Sequence, residues 1–423
     1  MICIRETSFI NGDIGIRILM RKNSGFFKHS GDFLKEYKQD WGVILAMTVV
    51  TVLITVPIFA YRIYSGISDF PSHIQYAKLI LGRLYQQVPI HILAHPAYQL
   101  LLIAVYLLAF QKVGMYAIAV LIQVMVQILT VLIIYIWFGR DKQNRNWLRG
   151  LWAISLTIVA PLMVFVFWDK LFYLGYIGLA TYHNPTIRLL QPIALLSFLC
   201  AVRIFTSNSN SWKVVLSSLL LVILSALIKP NYLLCILPAA GLMAVIRLVW
   251  KKPIDWRLLL VGFMAPGVLI LLVQMVLTFY LPGNDASSIL IDPLGVMNGY
   301  SGFLLPKFFL SILFPLAVLI FNIRRVVRDN TLVLAWVGFL ASVPQMYLLA
   351  ESGSRFIQGN FLWGAQIMAF ILFAASARFL WREEKVQEKF PGWKKAAVLI
   401  IYAAHCLAGI AYYVNLMVLA GYR

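Results

Sequence analysis

Apolar runs of roughly 20 residues recur along the chain from residue 42 onward, and short polar links separate them. A helix of about 20 apolar residues has the length needed to cross a bilayer core of about 30 Å. Such runs lie near residues 41–61, 97–111, 114–138, 150–168, 187–205, 212–228, 230–249, 257–280, 304–323, 331–349, 360–380 and 397–420. The pattern therefore predicts an all-α, polytopic helical membrane protein with about 11–12 transmembrane helices.

The composition strengthens this prediction. Of the 423 residues, 61% are hydrophobic and 12% are charged, whereas soluble chains carry about 25% charged residues. The net charge of +20 raises the question of a nucleic-acid partner, but the basic residues fall mostly in the links, as they do in the cytoplasmic loops of membrane proteins. We therefore expect membrane lipids, and no nucleic acid, among the partners of the protein.

The distribution of Lys and Arg predicts the side on which each link lies. The basic links, expected in the cytoplasm, are Arg140–Arg149, Arg203–Lys213, Arg247–Arg257, Arg324–Arg328 and Arg378–Lys395. The links expected outside are Arg62–His95, Asp169–Thr186, Leu281–Pro306 and Ala350–Gly359. Residues 1–41 form a polar arm without a cleavable signal peptide, expected to stay cytoplasmic, and 42–423 form a single transmembrane domain with its first outer loop at 62–95.

This assignment conflicts with the number of runs between residues 96 and 138. If His95 is outside and Arg140 is inside, the segment must cross an odd number of times, yet it reads as two helices joined at QKVG. Two alternatives stay open. Either one of these helices is re-entrant, or the Arg140 link is not cytoplasmic and a later segment enters the membrane without crossing it.

The first outer loop has the pattern of an amphipathic helix that lies in the membrane interface. The apolar face consists of Phe70, Ile74, Ala77, Leu81, Leu84 and Val88. Asp69 and His73 fall on another face, one turn apart. Either Ser68 or Asp69 caps the first turn, which the following Pro71 suits, or Asp69 serves a site. His73 is either an ordinary interfacial histidine or a substrate contact.

Further polar motifs lie in the links that are expected outside. HILAH places His91 and His95 four residues apart, but a metal site needs three or more ligands, so His95 is interpreted as a polar group at the mouth of a site. In YHNPTIRLLQP, His183 and Asn184 precede a helix start, and Arg188 follows one turn inside the membrane.

Charged residues in these links have two interpretations each. Arg188, and Lys229 in IKPNYLLCILP, either snorkel to the interface or bind an anionic group such as a phosphate. Glu351 and Arg355 in ESGSRFIQGNFLWG either form a salt-bridged loop or contact substrate. The Leu281–Pro306 link, which contains four glycines, is typical of a mobile loop over a site.

The motifs SDFPSH, HPAYQLLL, YHNPTIRLLQP, IKPNYLLCILP and ESGSRFIQGNFLWG, in this order, resemble segments of bacterial polytopic glycosyltransferases of the GT-C class, in an uncharacterised branch. The resemblance covers roughly residues 42 to 380. Members of the class place an acidic residue in the first outer loop, on a short juxtamembrane helix. Asp69 in SDFPSH occupies that position.

The resemblance implies a GT-C-like fold and a hexosyltransferase at the outer face of the bacterial plasma membrane, active in cell-envelope glycan assembly. The donor would be a polyprenyl-phosphate-linked sugar and the acceptor a glycan, a lipid or a protein. Asp69 would be the general base of an inverting displacement. From their positions we add His73, His95, His183, Asn184, Arg188, Lys229, Glu351 and Arg355 as substrate-binding residues. Some members use a pair of acids and a metal, but this loop has one acid, so no metal or other cofactor is predicted.

Two other functions compete with this one. A polysaccharide polymerase or ligase would depend on Arg and His in a later outer loop, around Arg355 or residues 281–306. A transporter or lipid flippase would show repeated halves and charges at the membrane midplane, and the sequence shows neither.

Overall fold

The computed structural model describes residues 40–139, 145–207, 210–280, 287–383 and 392–418. The cytoplasmic arm that the sequence predicts therefore lies almost wholly outside the described residues, as do parts of the basic links at 140–149 and 378–395 and of the 281–306 loop. Within the described ranges the chain is all-α apart from one pair of three-residue strands.

Eight of the described helices are long and apolar enough to cross a membrane. They are α1 (Trp41–Tyr64), α5 (Met115–Phe138), α8 (Pro185–Thr206), α10 (Asn231–Val249), α11 (Ala265–Phe279, which continues a π-helical turn at Leu258–Met264), α15 (Asn330–Leu348), α16 (Leu362–Glu383) and α17 (Gly392–Val418). By length and composition, these are the helices of an all-α, multi-pass membrane protein.

Shorter helices fill the intervals. They are α2 (Phe70–Leu81), α3 (Ile90–Leu93), α4 (Ala97–Leu108), α6 (Asn146–Ser155), α7 (Val166–Asp169), α9 (Trp212–Ile228), α12 (Gly295–Tyr300), α13 (Leu304–Ser311) and α14 (Leu313–Val326), with 3₁₀ turns at Tyr85–Gln87 and Gly353–Gln358. Helices α13 and α14 together form one apolar segment that is bent by 68°.

The two strands connect the loop before α12 to the link before α16. Strand β1 (Ile289–Ile291) pairs antiparallel with β2 (Leu349–Glu351), and Ile289 lies opposite Glu351. Asp292 N donates to Leu348 O at 2.9 Å and extends the pairing by one residue. The pairing fixes the backbone of Glu351, one of the residues that the sequence analysis placed in a site.

The core of the bundle is formed around α16. Of the most apolar 18-residue part of the segment that contains it, 83% is buried, against 28% for α1, for the helix at Leu258–Phe279 and for α17. Helix α16 packs against α15, α10 and α8, and α1 packs against α5. The three helices with low burial therefore lie at the periphery, where their apolar faces suit contact with lipid.

The described residues contain eight long apolar helices, or nine if the bent pair α13–α14 counts as one span, fewer than the predicted 11–12. Four of the twelve predicted runs account for the difference: 97–111, 150–168, 212–228, which is the 17-residue helix α9, and 304–323, which is bent. The run at 150–168 is not a helix throughout, because α6 ends at Ser155 and residues 156–165 are non-helical. The run at 97–111 forms the 12-residue helix α4, which is about 18 Å long and shorter than a bilayer core. The length of α4 favours the re-entrant alternative for the segment between His95 and Arg140.

The non-helical stretch at 156–165 has its backbone groups satisfied by distant helices. Ala160 N donates to His405 O at 3.2 Å, and Leu162 N donates to Leu310 O at 3.2 Å. His405 Nδ1 lies 2.7 Å from Ala160 O. Irregular backbone within a membrane domain is tolerated where protein groups satisfy it, and here α17 and α13 do so.

Gly409 allows α17 to approach this stretch. A Cβ at Gly409 would lie 2.0 Å from Ile158 O. We therefore expect Gly409→Ala to lower the free energy of unfolding by about 1–3 kcal/mol, the range for overpacking, and to lower the thermal unfolding midpoint in detergent. Gly392→Ala is the matched control in the same helix, because nothing lies within 4 Å of that position. Equal midpoints for the two variants would contradict the close-packing role of Gly409.

Candidate functional site

Asp69 lies at the start of α2, but its side chain does not cap that helix. Its Oδ2 instead accepts a hydrogen bond from Asn184 Nδ2 at 2.8 Å, and its backbone N donates to His183 O at 2.9 Å. Ser68 Oγ donates to Arg62 O at 2.7 Å and is not a cap either. The side-chain capping interpretation is therefore wrong, and the Asp69 carboxylate is directed toward the start of α8.

The helix that contains Asp69 is shorter than its apolar pattern predicts. Helix α2 buries Phe70, Ile74 and Ala77 as expected, but it ends at Leu81, before the last two positions of the predicted face. His73, which the pattern placed on the other face, is buried too, with 8% of its surface exposed. The Nδ1 atom of His73 lies 2.8 Å from Gln99 Nε2 on α4.

Asn184 caps α8 and contacts Asp69 at the same time. Its Oδ1 accepts from Thr186 N and Ile187 N, both at 3.1 Å, and from Thr186 Oγ1 at 2.8 Å. An asparagine that directly precedes a Pro at the first helical position is a strong helix-start signal. The cap brings the 183–184 segment, predicted to lie outside, against the start of α2.

Lys229 lies between α9 and α10 and is buried, with 8% of its surface exposed. Its Nζ donates to Thr186 Oγ1 at 3.4 Å and lies 5.0 Å from the centre of the Trp363 ring. Burial lowers the pKa of Lys229 to about 8, and the charges of Asp69 and Glu351 oppose that fall. Lys229 therefore does not snorkel to the surface, and it forms no salt bridge with any described residue.

His183 and His95 are half-buried and interact electrostatically with this lysine. The ring of His183 lies 5.6 Å from that of Trp363 and 6.2 Å from that of Tyr173. Burial lowers the pKa of His183. His95 Nδ1 is buried without a hydrogen-bond partner among the described residues. Within those residues, no group of three His, Cys, Asp or Glu side chains has the arrangement of a metal site.

Two histidines on the α2 and α4 side, the buried His73 and the half-buried His95, predict acid sensitivity. Burial lowers the pKa of His73 to about 4 and that of His95 to about 3, against about 6.5 in the unfolded chain. At a pH between 6.5 and these lower values, each histidine binds a proton more readily in the unfolded state than in the folded state. The free energy of unfolding therefore decreases as the pH falls below about 6.5. From pH 6.5 to 5 we expect each histidine to cost roughly 2 kcal/mol, measurable as a lower thermal midpoint. A His73→Asn, His95→Asn double variant with the same pH dependence as the wild type would contradict this.

Glu351 and Arg355 form the ion pair that their spacing predicted. Arg355 Nη2 lies 2.8 Å from Glu351 Oε1, and Asn360 Nδ2 donates to Glu351 Oε2. Asn231 Nδ2, two residues after Lys229, donates to Asn360 O at 2.7 Å. A small hollow opens beside Glu351 and Asn360, and the rest of its lining is mostly apolar.

Arg188 is separate from this group. The side chain is 1% exposed, so snorkelling is excluded. Its Nη1 donates to Gln191 Oε1 at 3.0 Å, and its Nη2 donates to Gln127 Oε1. Its guanidinium lies 5.6 Å from the centre of the Phe59 ring. These contacts join α8 to α5 and α1. Arg188 Nε is buried without a hydrogen-bond partner, and Arg188 makes no contact with Asp69, among the described residues.

Some residues at the site were missed by the sequence analysis. Arg62, in the last turn of α1, is 7% exposed, interacts electrostatically with Asp69, and has a buried Nε without a partner among the described residues. An arginine on the side poor in basic residues was a signal that could have identified it. Gln99 and Trp363 carry no such signal, because each stands within an apolar run where a packing role is the default.

The sequence-predicted residues thus fall into connected groups. Asp69, His183, Asn184 and Lys229 are linked through Thr186 and Trp363, and His73 and His95 interact electrostatically with Lys229. Glu351 and Arg355 adjoin them through Asn360 and Asn231. Only Arg188 contacts none of these groups.

Comparisons of the chain with protein-family models, with curated proteins and with solved structures found no match in any of the three. The chemistry of the site is therefore argued from its own residues.

Proposed function

We propose that the protein is a membrane glycosyltransferase of the hexosyltransferase class. It would move a sugar from a polyprenyl-phosphate-type donor to an acceptor hydroxyl at the outer face of a bacterial plasma membrane, in cell-surface glycan assembly. The acceptor would be a glycan, a lipid or a protein. No metal or other cofactor is part of the proposal.

One observation carries the proposal. A half-buried carboxylate, Asp69, interacts electrostatically with two buried cations, Arg62 and Lys229, and neither cation forms a salt bridge with a described carboxylate. A buried cation without a partner is unfavourable unless it serves a ligand. A carboxylate that can accept a proton, beside cations that can hold an anion, suits the transfer of a group away from a phosphate.

The reaction follows from these roles. Asp69 accepts the proton of the acceptor hydroxyl while the hydroxyl oxygen forms a bond to the anomeric carbon of the donor. The bond from that carbon to the phosphate oxygen breaks, and its electron pair stays on the phosphate. Lys229 and Arg62 stabilise the negative charge that develops there. A single displacement of this kind inverts the anomeric centre.

The order of motifs that resembles GT-C glycosyltransferases supports the same function, since it places an acid in the first outer loop. The connection of the 181–188 and 229–231 segments to Asp69 also supports it. The Glu351–Arg355 pair, with Asn360, would contribute to substrate binding at the edge of the site. The competing transporter function gains no support from Arg188, because its partners are glutamines of the packed bundle.

The proposal is tested with purified protein in vesicles that contain polyprenyl-phosphate donors with radiolabelled sugars. We expect one donor to lose its label to an acceptor, with release of polyprenyl phosphate in equal amount. The same vesicles, placed under an ion gradient, test the competing transporter function by measuring uptake into the vesicles. Gradient-dependent uptake without label transfer from any donor would overturn the proposal in favour of a transporter.

A further inference from the structure

Asn184 uses both ends of its side-chain amide. The oxygen accepts hydrogen bonds from three donors, namely Thr186 N, Ile187 N and Thr186 Oγ1. Rotating the amide by half a turn would turn its N–H groups toward the two backbone N–H donors and lose both of those bonds. The nitrogen must therefore point the other way, where it donates to Asp69 Oδ2 at 2.8 Å.

A second bond joins the same two segments. Asp69 N donates to His183 O at 2.9 Å, so the main chain and the side chain of Asp69 are both held by the 183–184 pair. Asp69 and Asn184 are 115 residues apart in the chain. The start of α2 is thus fixed to the start of α8 immediately at the carboxylate, and the orientation of the carboxylate is set by a helix cap rather than by its own helix.

The two carboxylate oxygens of Asp69 differ in their hydrogen bonding. Oδ2 is engaged by Asn184, whereas Oδ1 accepts no hydrogen bond from any described residue. Asp69 is only half-buried, and Oδ1 is the oxygen that keeps its full capacity to accept a hydrogen bond from an incoming hydroxyl. A carboxylate with one oxygen held by a fixed amide is pre-oriented for proton transfer through the other oxygen.

We propose that Asn184 is a positioning residue for Asp69, which holds Oδ2 so that Oδ1 receives the proton of the acceptor hydroxyl. This inference rests on the proposed glycosyl transfer. It replaces the sequence-based prediction that Asn184 binds substrate, because both ends of its amide are occupied by the protein.

Two substitutions separate the cap from the positioning bond. Asn184→Ser and Asn184→Asp both keep a strong N-cap residue, so α8 is still capped. Asn184→Ser removes the amide that donates to Asp69, and Asn184→Asp replaces it with a second carboxylate. Asp329→Ser is the matched control, since Asp329 caps α15 through Leu332 N at 3.0 Å, away from Asp69. Around Asp69, the charged and titratable side chains of Arg62, His73, His183 and Lys229 are unchanged in all variants.

For Asn184→Ser we expect kcat to fall roughly 10- to 100-fold with little change in KM, a part of the about 10²–10⁴-fold that general-base catalysis contributes. The fall in kcat should be larger in Asn184→Asp, because a second carboxylate repels Asp69 instead of donating a hydrogen bond to it. Asp329→Ser should leave kcat and KM unchanged.

Infrared difference spectra of ¹³C-labelled Asp give a readout that does not depend on transfer, with Asp69→Asn as the spectral blank. We expect the carboxylate stretching bands of Asp69 to shift in both Asn184 variants, because the hydrogen bond to Oδ2 is lost. A KM that rises at constant kcat, or Asp69 bands that do not shift in Asn184→Asp, would overturn the positioning role. If the wild type transfers no sugar, the proposed function fails, and the infrared bands still decide whether Asn184 holds Asp69.

Discussion

Asp69→Asn is expected to lower kcat/KM for sugar transfer by about 10²–10⁴-fold, the usual contribution of a general base. Asparagine keeps the volume of the side chain and an oxygen that can accept the hydrogen bond of Asn184, so the junction between α2 and α8 should stay intact. Initial rates with the labelled donor in vesicles measure the effect. Thermal unfolding in detergent should show a midpoint close to that of the wild type.

Asp292→Asn is the control for the loss of an acid. Asp292 lies next to β1, in a different link that is predicted to face outside. Its substitution should leave the rate of sugar transfer unchanged. A full transfer rate in Asp69→Asn would remove the general-base role. If activity then disappeared in Arg355→Gln, the chemistry would be that of a polymerase or ligase that depends on the later loop.

The sequence predicted the long helices well because the apolar run length that a bilayer requires is a local property. Helices α5 and α8 match their predicted runs within a few residues. The run at 150–168 is equally apolar but is not a helix throughout, because its backbone bonds to His405 and Leu310. Those partners lie far away in the chain, and hydropathy does not report such contacts.

The candidate site was predictable to a similar degree. The distribution of Lys and Arg assigned Asp69, His183 and Lys229 to links on the same side of the membrane. The structure places these three residues in one connected group. The partners of each polar group were not predictable, since they depend on how helices pack. Arg188 illustrates this point, because only the packing of α5 on α8 reveals that two glutamines accept hydrogen bonds from its Nη1 and Nη2. Arg62 was overlooked because it was counted as the first residue of the outer link, whereas it lies in the last turn of α1 with 7% of its surface exposed.

Lys229→Gln is expected to lower kcat/KM by roughly 10²–10³-fold, the effect of removing one preorganised group that stabilises developing charge. The variant should not be less stable. A buried cation without a carboxylate partner is costly to keep in the folded state, so a neutral amide of similar length should hold or raise the thermal midpoint. Activity and stability therefore move in different directions, which distinguishes a functional cation from a structural one. Lys170→Gln is the matched control, since Lys170 is exposed in a link predicted to lie on the same side.

The pH profile tests the charge of Lys229 directly. Burial lowers its pKa to about 8, so the side chain is charged below that value and neutral above it. The phosphate is stabilised only by the charged form, and kcat/KM should therefore fall about tenfold for each pH unit above about 8. Lys229→Arg keeps its charge over that range and should move the alkaline limb to higher pH even if its absolute rate is reduced. An alkaline limb that stays near pH 8 in Lys229→Arg would assign the limb to another group and would leave Arg62 as the cation that faces the phosphate.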